Sequence, residues 1–387
     1  MVGVANRMRG LRESPIGAMT VRCQEIGAIN LAQGLCQVPA PASVLAQGAR
    51  DFPEIGHSYS PPEGLAVFRE AVADKRKRHS GLSVEPTTQI VATVGATGAL
   101  MATLTALLDP GDGVLLFEPF FGNYLAELKV LDLTPEPVRL FGPDFRITEE
   151  SLRSAITDRT RAMIVCTPNN PSGQRLTVPE LTTIAAVAEE HDLLVITDEV
   201  YEDIYFGPEP HLAPATVGGL GERTVTISSL GKSFSVPGWR LGYACGPEPL
   251  MNAIRIAAEA LVVCAPAPLQ ELGTRALRLG EDYYQDLRAM YDRKRRALAA
   301  GFAAAGLSPN EPDGAYYLFV DCSSMGVATG AEAAEILLRR SLVATVPGEA
   351  FYLDPPDLPY VRVCFSLPDE VIADAVDRLA SGGLIHG

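Results

Sequence analysis

The stretch Ser229-Leu-Gly-Lys-Ser-Phe-Ser-Val-Pro-Gly-Trp-Arg240 contains Gly231-Lys232-Ser233, the closing triplet of a nucleotide-binding P-loop. That loop also needs a glycine five residues before Gly231, where its backbone wraps the phosphate. Position 226 is threonine, so the pattern fails and the lysine needs another explanation. The chain has five lysines. Lys75 and Lys77 stand in Asp74-Lys-Arg-Lys-Arg-His79 and Lys294 in Asp292-Arg-Lys-Arg-Arg296, runs expected to be solvated helix faces. Lys129 falls near the end of a helical stretch, Asn123–Val130, where a cation suits the helix dipole. Lys232 has no charged neighbour from Val225 to Arg240 and directly follows an apolar strand. Two readings stand on this feature: an amine placed to act as a Schiff-base nucleophile, or a lysine at a strand end that reaches solvent.

Outward from Lys232, short apolar runs alternate with amphipathic ones. Candidate strands are Ile90–Val94, Val114–Phe117, Ala162–Cys166, Leu193–Thr197, Thr224–Ser228 and Leu241–Cys245. Helical patterns fall between several of them, among them Ala99–Leu108 and Val178–Glu190, the latter opened by Thr177 and Glu180 as a capping box. The alternation predicts an α/β domain with a mainly parallel sheet flanked by helices. In such a sheet, ligands bind at the carboxyl ends of the strands. Four strand ends lead into chemistry-bearing loops: Gly95-Ala-Thr-Gly98 opening a helix, Thr167-Pro-Asn-Asn-Pro-Ser-Gly173, Asp198-Glu-Val-Tyr201, and Ser229-Leu-Gly-Lys232. On one sheet edge they would bring together a helix N-terminus for a phosphate, an amide, a carboxylate with a phenol, and an amine with hydroxyls.

From about Glu281 the character changes. A long charged helix over Tyr283–Ala305 precedes the strand Tyr316–Val320, a helix near Ala331–Ser341 and the strand Val361–Phe365. This predicts a smaller α+β domain. The expected division is 1–45 as an N-terminal segment joining the small domain, 46–282 as the large domain, and 283–387 as the small one. A chain of 387 residues readily supports both.

Bulk properties narrow the function. A net charge of -15 argues against nucleic-acid binding, which needs a basic face. Seven scattered cysteines without a CxxC pair read as free thiols in a reducing compartment. Five histidines without ligand spacing give no metal site. The N-terminus lacks an apolar signal core. The uncharged run Thr87–Leu108 is interrupted by Gly95, Gly98 and threonines, which suits a buried strand, turn and helix better than a membrane span. A cytoplasmic location is expected.

The pattern S-x-x-K-x-F-x-x-x-G-x-R-x-G, complete from Ser229 to Gly242, resembles the lysine motif of the fold-type I pyridoxal-phosphate enzymes. Within these the chain is similar to the class I/II aminotransferases, closest to the kynurenine/glutamine/methionine group. The resemblance runs from Ile29-Asn-Leu-Ala-Gln-Gly34 to Val361-Arg-Val-Cys-Phe365. It implies a seven-stranded, mainly parallel sheet and pyridoxal 5'-phosphate as cofactor. Lys232 would bond the cofactor's aldehyde carbon and shuttle the substrate proton. Asp198 would pair with the pyridine nitrogen and keep it protonated. Asn170 and Tyr201 would meet the phenolic oxygen, and Phe121 would stack on the ring. Gly95, Ala96 and Thr97 would offer the phosphate a helix N-terminus, with Ser229 and Arg240 adding hydroxyl and charge. Tyr59 would reach the phosphate of a neighbouring subunit, which implies a homodimer with shared sites. Arg362 would take the substrate carboxylate in its planar fork, with Gly34 beside the substrate.

The chain departs from the family's common pattern at three places. Cys36 follows Gly34-Leu35 where proline is usual, His57 stands where asparagine is common, and 260–266 lacks the aromatic-histidine pair of some kynurenine-type members. No second arginine is evident for a distal carboxylate. The implied activity is transfer of an amino group from a neutral or aromatic L-amino acid to a 2-oxo acid through the pyridoxamine form. The alternative is a non-transaminating enzyme on the same scaffold: a β- or γ-lyase, an S-adenosylmethionine-processing lyase or an oxidase.

Overall fold

The structure is a computed structural model that describes residues 3–10 and 15–384. Its centre is a seven-stranded sheet. From edge to edge the strands are Ile90–Thr93, Gly242–Cys245, Thr224–Ser229, Leu194–Asp198, Thr160–Cys166, Gly113–Glu118 and Thr134–Arg139. Gly242–Cys245 runs antiparallel to both neighbours, and the other six strands run the same way. Parallel strands are covered by helices on both faces, so their sequences are continuously apolar rather than alternating. Gly113–Glu118 is buried along its whole length. Leu115, Met163 and Val195 face one core, and Val114, Leu116, Ile164 and Ile196 face the other.

The edge strand Thr134–Arg139 was not among the strands expected. It carries Pro135 and Pro137, which cannot donate to a ladder and are tolerated only where one side of the strand is free. The helix after Ile90–Thr93 begins at Gly95 rather than Ala99, which sets the Gly95-Ala96-Thr97 amides in its first turn. Val178–Glu190 forms as predicted, with Thr177 and Glu180 bonding each other's backbone amides.

A four-stranded antiparallel sheet forms from Val346–Pro347, Tyr360–Cys364, Tyr317–Asp321 and Ser308–Pro309. The helix Glu281–Ala304 packs on it and on Asp369–Ser381. Ile29–Asn30 returns from the N-terminal region to pair with Val343–Ala344.

Two of the basic runs are not wholly solvated faces. Lys75, Arg76 and Lys294 are buried. Lys75 bridges Glu202 and Asp203 at 2.8 and 2.9 Å, and Arg76 meets Glu199 at 2.9 Å. Lys294 donates to the Leu367 carbonyl and pairs with Asp369. Their partners lie far along the chain, so a local run of charges could not reveal them. Lys77 remains exposed.

Candidate active site

Cys166, Asp198 and Ser229 close three adjacent strands, so all three stand on one edge of the sheet. They bound a cavity of about 220 Å³, which is also lined by Gly34, Ala96, Thr97, Phe121, Asn170, Tyr201, Lys232, Arg240 and Arg362. Nearly every residue singled out in the sequence therefore faces one space. Gly95 adjoins it through Arg240, and Tyr59 stands apart, 81% exposed and outside the lining.

Lys232 sits in the short helix Leu230–Ser233 directly after its strand. Its Nζ donates a long hydrogen bond, 3.5 Å, to the Gly34 carbonyl, and lies 5.8 and 5.5 Å from the ring centres of Tyr201 and Tyr316. No carboxylate is ion-paired to this amine among the described residues. The next residue, Ser233, donates to Asp203 at 2.5 Å, and the residue after Asp198 is Glu199. Through Lys75, Arg76, Glu202 and His211, the loops bearing the lysine and the aspartate are thus anchored to one buried ion network.

Asp198 accepts from the Tyr124 hydroxyl at 2.7 Å and from the Val200 amide at 3.3 Å. Burial raises its carboxyl above the ordinary aspartate range, while these two bonds and the Lys232 charge pull the other way. A half-buried carboxylate facing a cavity is a site for a cationic nitrogen.

Opposite lies a cradle for an anion. The helix Gly95–Leu107 starts with no side-chain cap, which leaves its first amides free. Gly95 has φ +69, and a Cβ there would come within 2.8 Å of Arg240 Nη2. Gly242 is equally constrained, because a Cβ would lie 2.7 Å from Gly95 C and 3.0 Å from Ala96 N. Arg240 itself takes the left-handed conformation, φ 50 and ψ 46.

Arg362 is 1% exposed, yet no carboxylate faces it among the described residues. Nη1 donates to Asn170 Oδ1 at 2.9 Å and Nη2 to the Ala32 carbonyl at 2.7 Å. The Tyr317 and Phe351 rings flank the guanidinium at 4.4 and 4.9 Å, and Nε has no partner. Tyr317 also meets the Tyr201 hydroxyl at 3.1 Å, and its own hydroxyl would lie 2.2 Å from a Cβ at position 34. Only glycine fits there.

Sequence reasoning missed Tyr124, Glu127, Tyr316 and Tyr317. Tyr124 follows Phe121 by one helical spacing, which was a usable signal. Tyr316 and Tyr317 read only as strand residues. Nothing local marked Glu127.

The family model for aminotransferase class I and II matches residues 26–379. The chain is 36% identical to a probable N-succinyldiaminopimelate aminotransferase of Mycobacterium tuberculosis, over 97% of both chains. It is 30% identical to the methionine aminotransferase of Escherichia coli, over 93% of this chain and 94% of that one. Among solved structures, the Mycobacterium tuberculosis N-succinyldiaminopimelate aminotransferase superposes with a TM-score of 0.93, covering 98% of this chain and 99% of that one at 36% identity. An amine, a half-buried carboxylate and an anion cradle share one cavity, and the chain belongs to the class I and II aminotransferases, which depend on pyridoxal phosphate.

Proposed function

We propose that this cavity holds pyridoxal phosphate between Asp198 and Lys232, and that the enzyme transaminates neutral or aromatic L-amino acids with a 2-oxo acid. The residues fit the cofactor. The uncapped helix start beside Arg240 suits a phosphate dianion, the half-buried Asp198 suits a protonated ring nitrogen, and Phe121 lines the cavity where a ring face needs cover. When bound, the cofactor supplies an electron sink for the charge left on the substrate's Cα as its proton departs.

The chain's own residues do the rest. Lys232 would hold the cofactor at its aldehyde carbon and, once freed as an amine, would take and return the proton at the substrate's Cα. Asp198 would hold the ring nitrogen in its charged form. Tyr201 and Asn170 would meet the phenolic oxygen. Gly95, Ala96 and Thr97 would present amides to the phosphate, with Ser229 and Arg240 beside them. Gly34 leaves space for the substrate. The exposure of Tyr59 supports a homodimer in which it reaches the neighbouring copy's phosphate.

The observation that carries the substrate class is Arg362, a buried guanidinium with no carboxylate of its own among the described residues. Its fork suits an α-carboxylate. The cavity's other arginine, Arg240, stands at the phosphate cradle, so among the described residues no guanidinium remains there for a distal carboxylate. A second reading has a specific basis. An outer groove meets the cavity at Ile16, Phe121 and Glu127 and carries Arg7 and Lys129. Those cations would suit the far carboxylate of a long acylated substrate such as N-succinyldiaminopimelate, on which the Mycobacterium tuberculosis relative is named to act. Incubating the holoenzyme with a panel of amino donors and a 2-oxo acid, read by mass spectrometry, tests both. Turnover of neutral or aromatic donors supports the first reading. Turnover confined to acylated dicarboxylic donors overturns it in favour of the second.

A further inference from the structure

Glu127 lies one helical spacing beyond Tyr124 in Asn123–Val130 and lines the same cavity. It is 9% exposed, and its Oε2 has no hydrogen-bond partner among the described residues. An ionised carboxylate without donors is costly in such a place, whereas a carboxylic acid carries its own proton and can donate. Asp198 is better provided for, with the Tyr124 hydroxyl and the Val200 amide as donors.

The surrounding charges agree with this contrast. Burial, reinforced by the negative charge of Asp198, pushes the Glu127 carboxyl up to about 8. Tyr124, on the same helix, donates its hydrogen bond to Asp198. Lys232, from the strand side, acts on Asp198. The outer groove, which Glu127 also lines, adds Arg7, Lys129, Asp132 and Glu349, none of which is ion-paired to it.

We propose that Glu127 is a positioning residue that forms an acid pair with Asp198, carrying the pair's one proton at neutral pH so that Asp198 is the charged member. Two neighbouring carboxyls with unequal hydrogen bonding divide their roles this way: the bare one stays protonated and the hydrogen-bonded one stays ionised. In alkaline solution the O–H bond of Glu127 breaks, its proton passes to solvent base, and the site carries two negative charges. The consequence for the cofactor rests on the reading of Asp198 as the partner of the ring nitrogen.

The test has two parts. Infrared spectra of the cofactor-free protein labelled with ¹³C-glutamate should show a protonated carboxyl band at neutral pH. That band should vanish in alkaline solution and be absent from Glu127→Gln. Pyridoxal phosphate affinity should match in wild type and Glu127→Gln at neutral pH, where both side chains are neutral. In alkaline solution wild type should bind about tenfold tighter, the effect of one added opposite charge beside a cationic nitrogen. Glu127→Met is the second variant should Glu127→Gln fold poorly, and it should lack the same alkaline gain. Absence of the protonated band, or affinity profiles that superimpose at every pH, overturns the proposal. Asp198→Asn separates the two readings. If it leaves cofactor affinity unchanged, the ring-nitrogen assignment falls, while the infrared band, read without cofactor, still decides whether Glu127 holds the proton.

Discussion

The Tyr124 hydroxyl donates a 2.7 Å hydrogen bond to Asp198 Oδ2, linking the helix that follows Phe121 to the end of a central strand. The bond joins the wall that carries the aromatic Phe121 to a carboxylate that lines the same cavity. Removing it leaves Asp198 with the Val200 amide as its other donor. Tyr124→Phe is therefore expected to weaken pyridoxal phosphate binding by about 1.5–3 kcal/mol, the value of a hydrogen bond to a charged group, or roughly 10- to 150-fold. Absorbance titration of the cofactor-free protein measures this. An unchanged dissociation constant would refute it.

Lys232→Ala should abolish the linkage that borohydride reduces. It should lower the half-reaction rate by about 10²–10⁴-fold, the usual worth of a positioned acid–base group. Mass spectrometry of the reduced protein and rapid-mixing kinetics give the two readouts. A reducible linkage persisting in the variant would remove Lys232 from its assigned role.

Arg362→Lys keeps the charge and loses the fork. Only one charge-assisted bond to a carboxylate survives, so KM for the amino donor should rise by roughly 10- to 100-fold. Much of the change should lie in KM rather than kcat, because the contact is made before and during reaction alike. Steady-state kinetics distinguishes this from a fall in kcat alone.

Gly95→Ala places a Cβ where Arg240 Nη2 stands, in a backbone with φ +69. The strain is expected to cost about 1–2 kcal/mol and displace the arginine from the helix start. Both the thermal midpoint of the cofactor-free protein and its phosphate affinity should fall, measurable by calorimetry with inorganic phosphate. Retention of both would mean that the cradle yields.

The buried network sets an acid limit on stability. Although burial alone would raise its carboxyl, Arg76 and His211 hold Glu199 down at about 2 from its ordinary 4.5. A depressed carboxylate stabilises the fold above its unfolded value and loses that contribution as pH falls through its folded one. Stability should thus drop steeply between about 4.5 and about 2. Arg76→Met, which leaves Glu199 without its arginine, should cost about 3–5 kcal/mol at neutral pH and flatten that acid slope. Denaturant titrations across the pH range check both signs.

Much of the site was legible because its parts are local. The motif from Ser229 to Gly242, the helix start at Gly95 and the Asp198–Tyr201 stretch each lie within a few residues. A parallel sheet delivers strand ends to one edge whatever the loops contain. The edge strand Thr134–Arg139 escaped notice because its prolines contradict the usual strand pattern, and only its place beside Gly113–Glu118 permits them. Lys75, Arg76 and Lys294 misread as partly solvated for a related reason: their carboxylates come from other segments.

The sequence by itself determined which chemistry-bearing side chains gather at one sheet edge, since this follows from short motifs and strand order. Tertiary structure decided how those groups are charged and held. It set Tyr124 against Asp198, left Glu127 Oε2 without a partner among the described residues, and packed Arg362 between Tyr317 and Phe351. Burial and hydrogen bonding fix ionisation, and both depend on which distant segments meet.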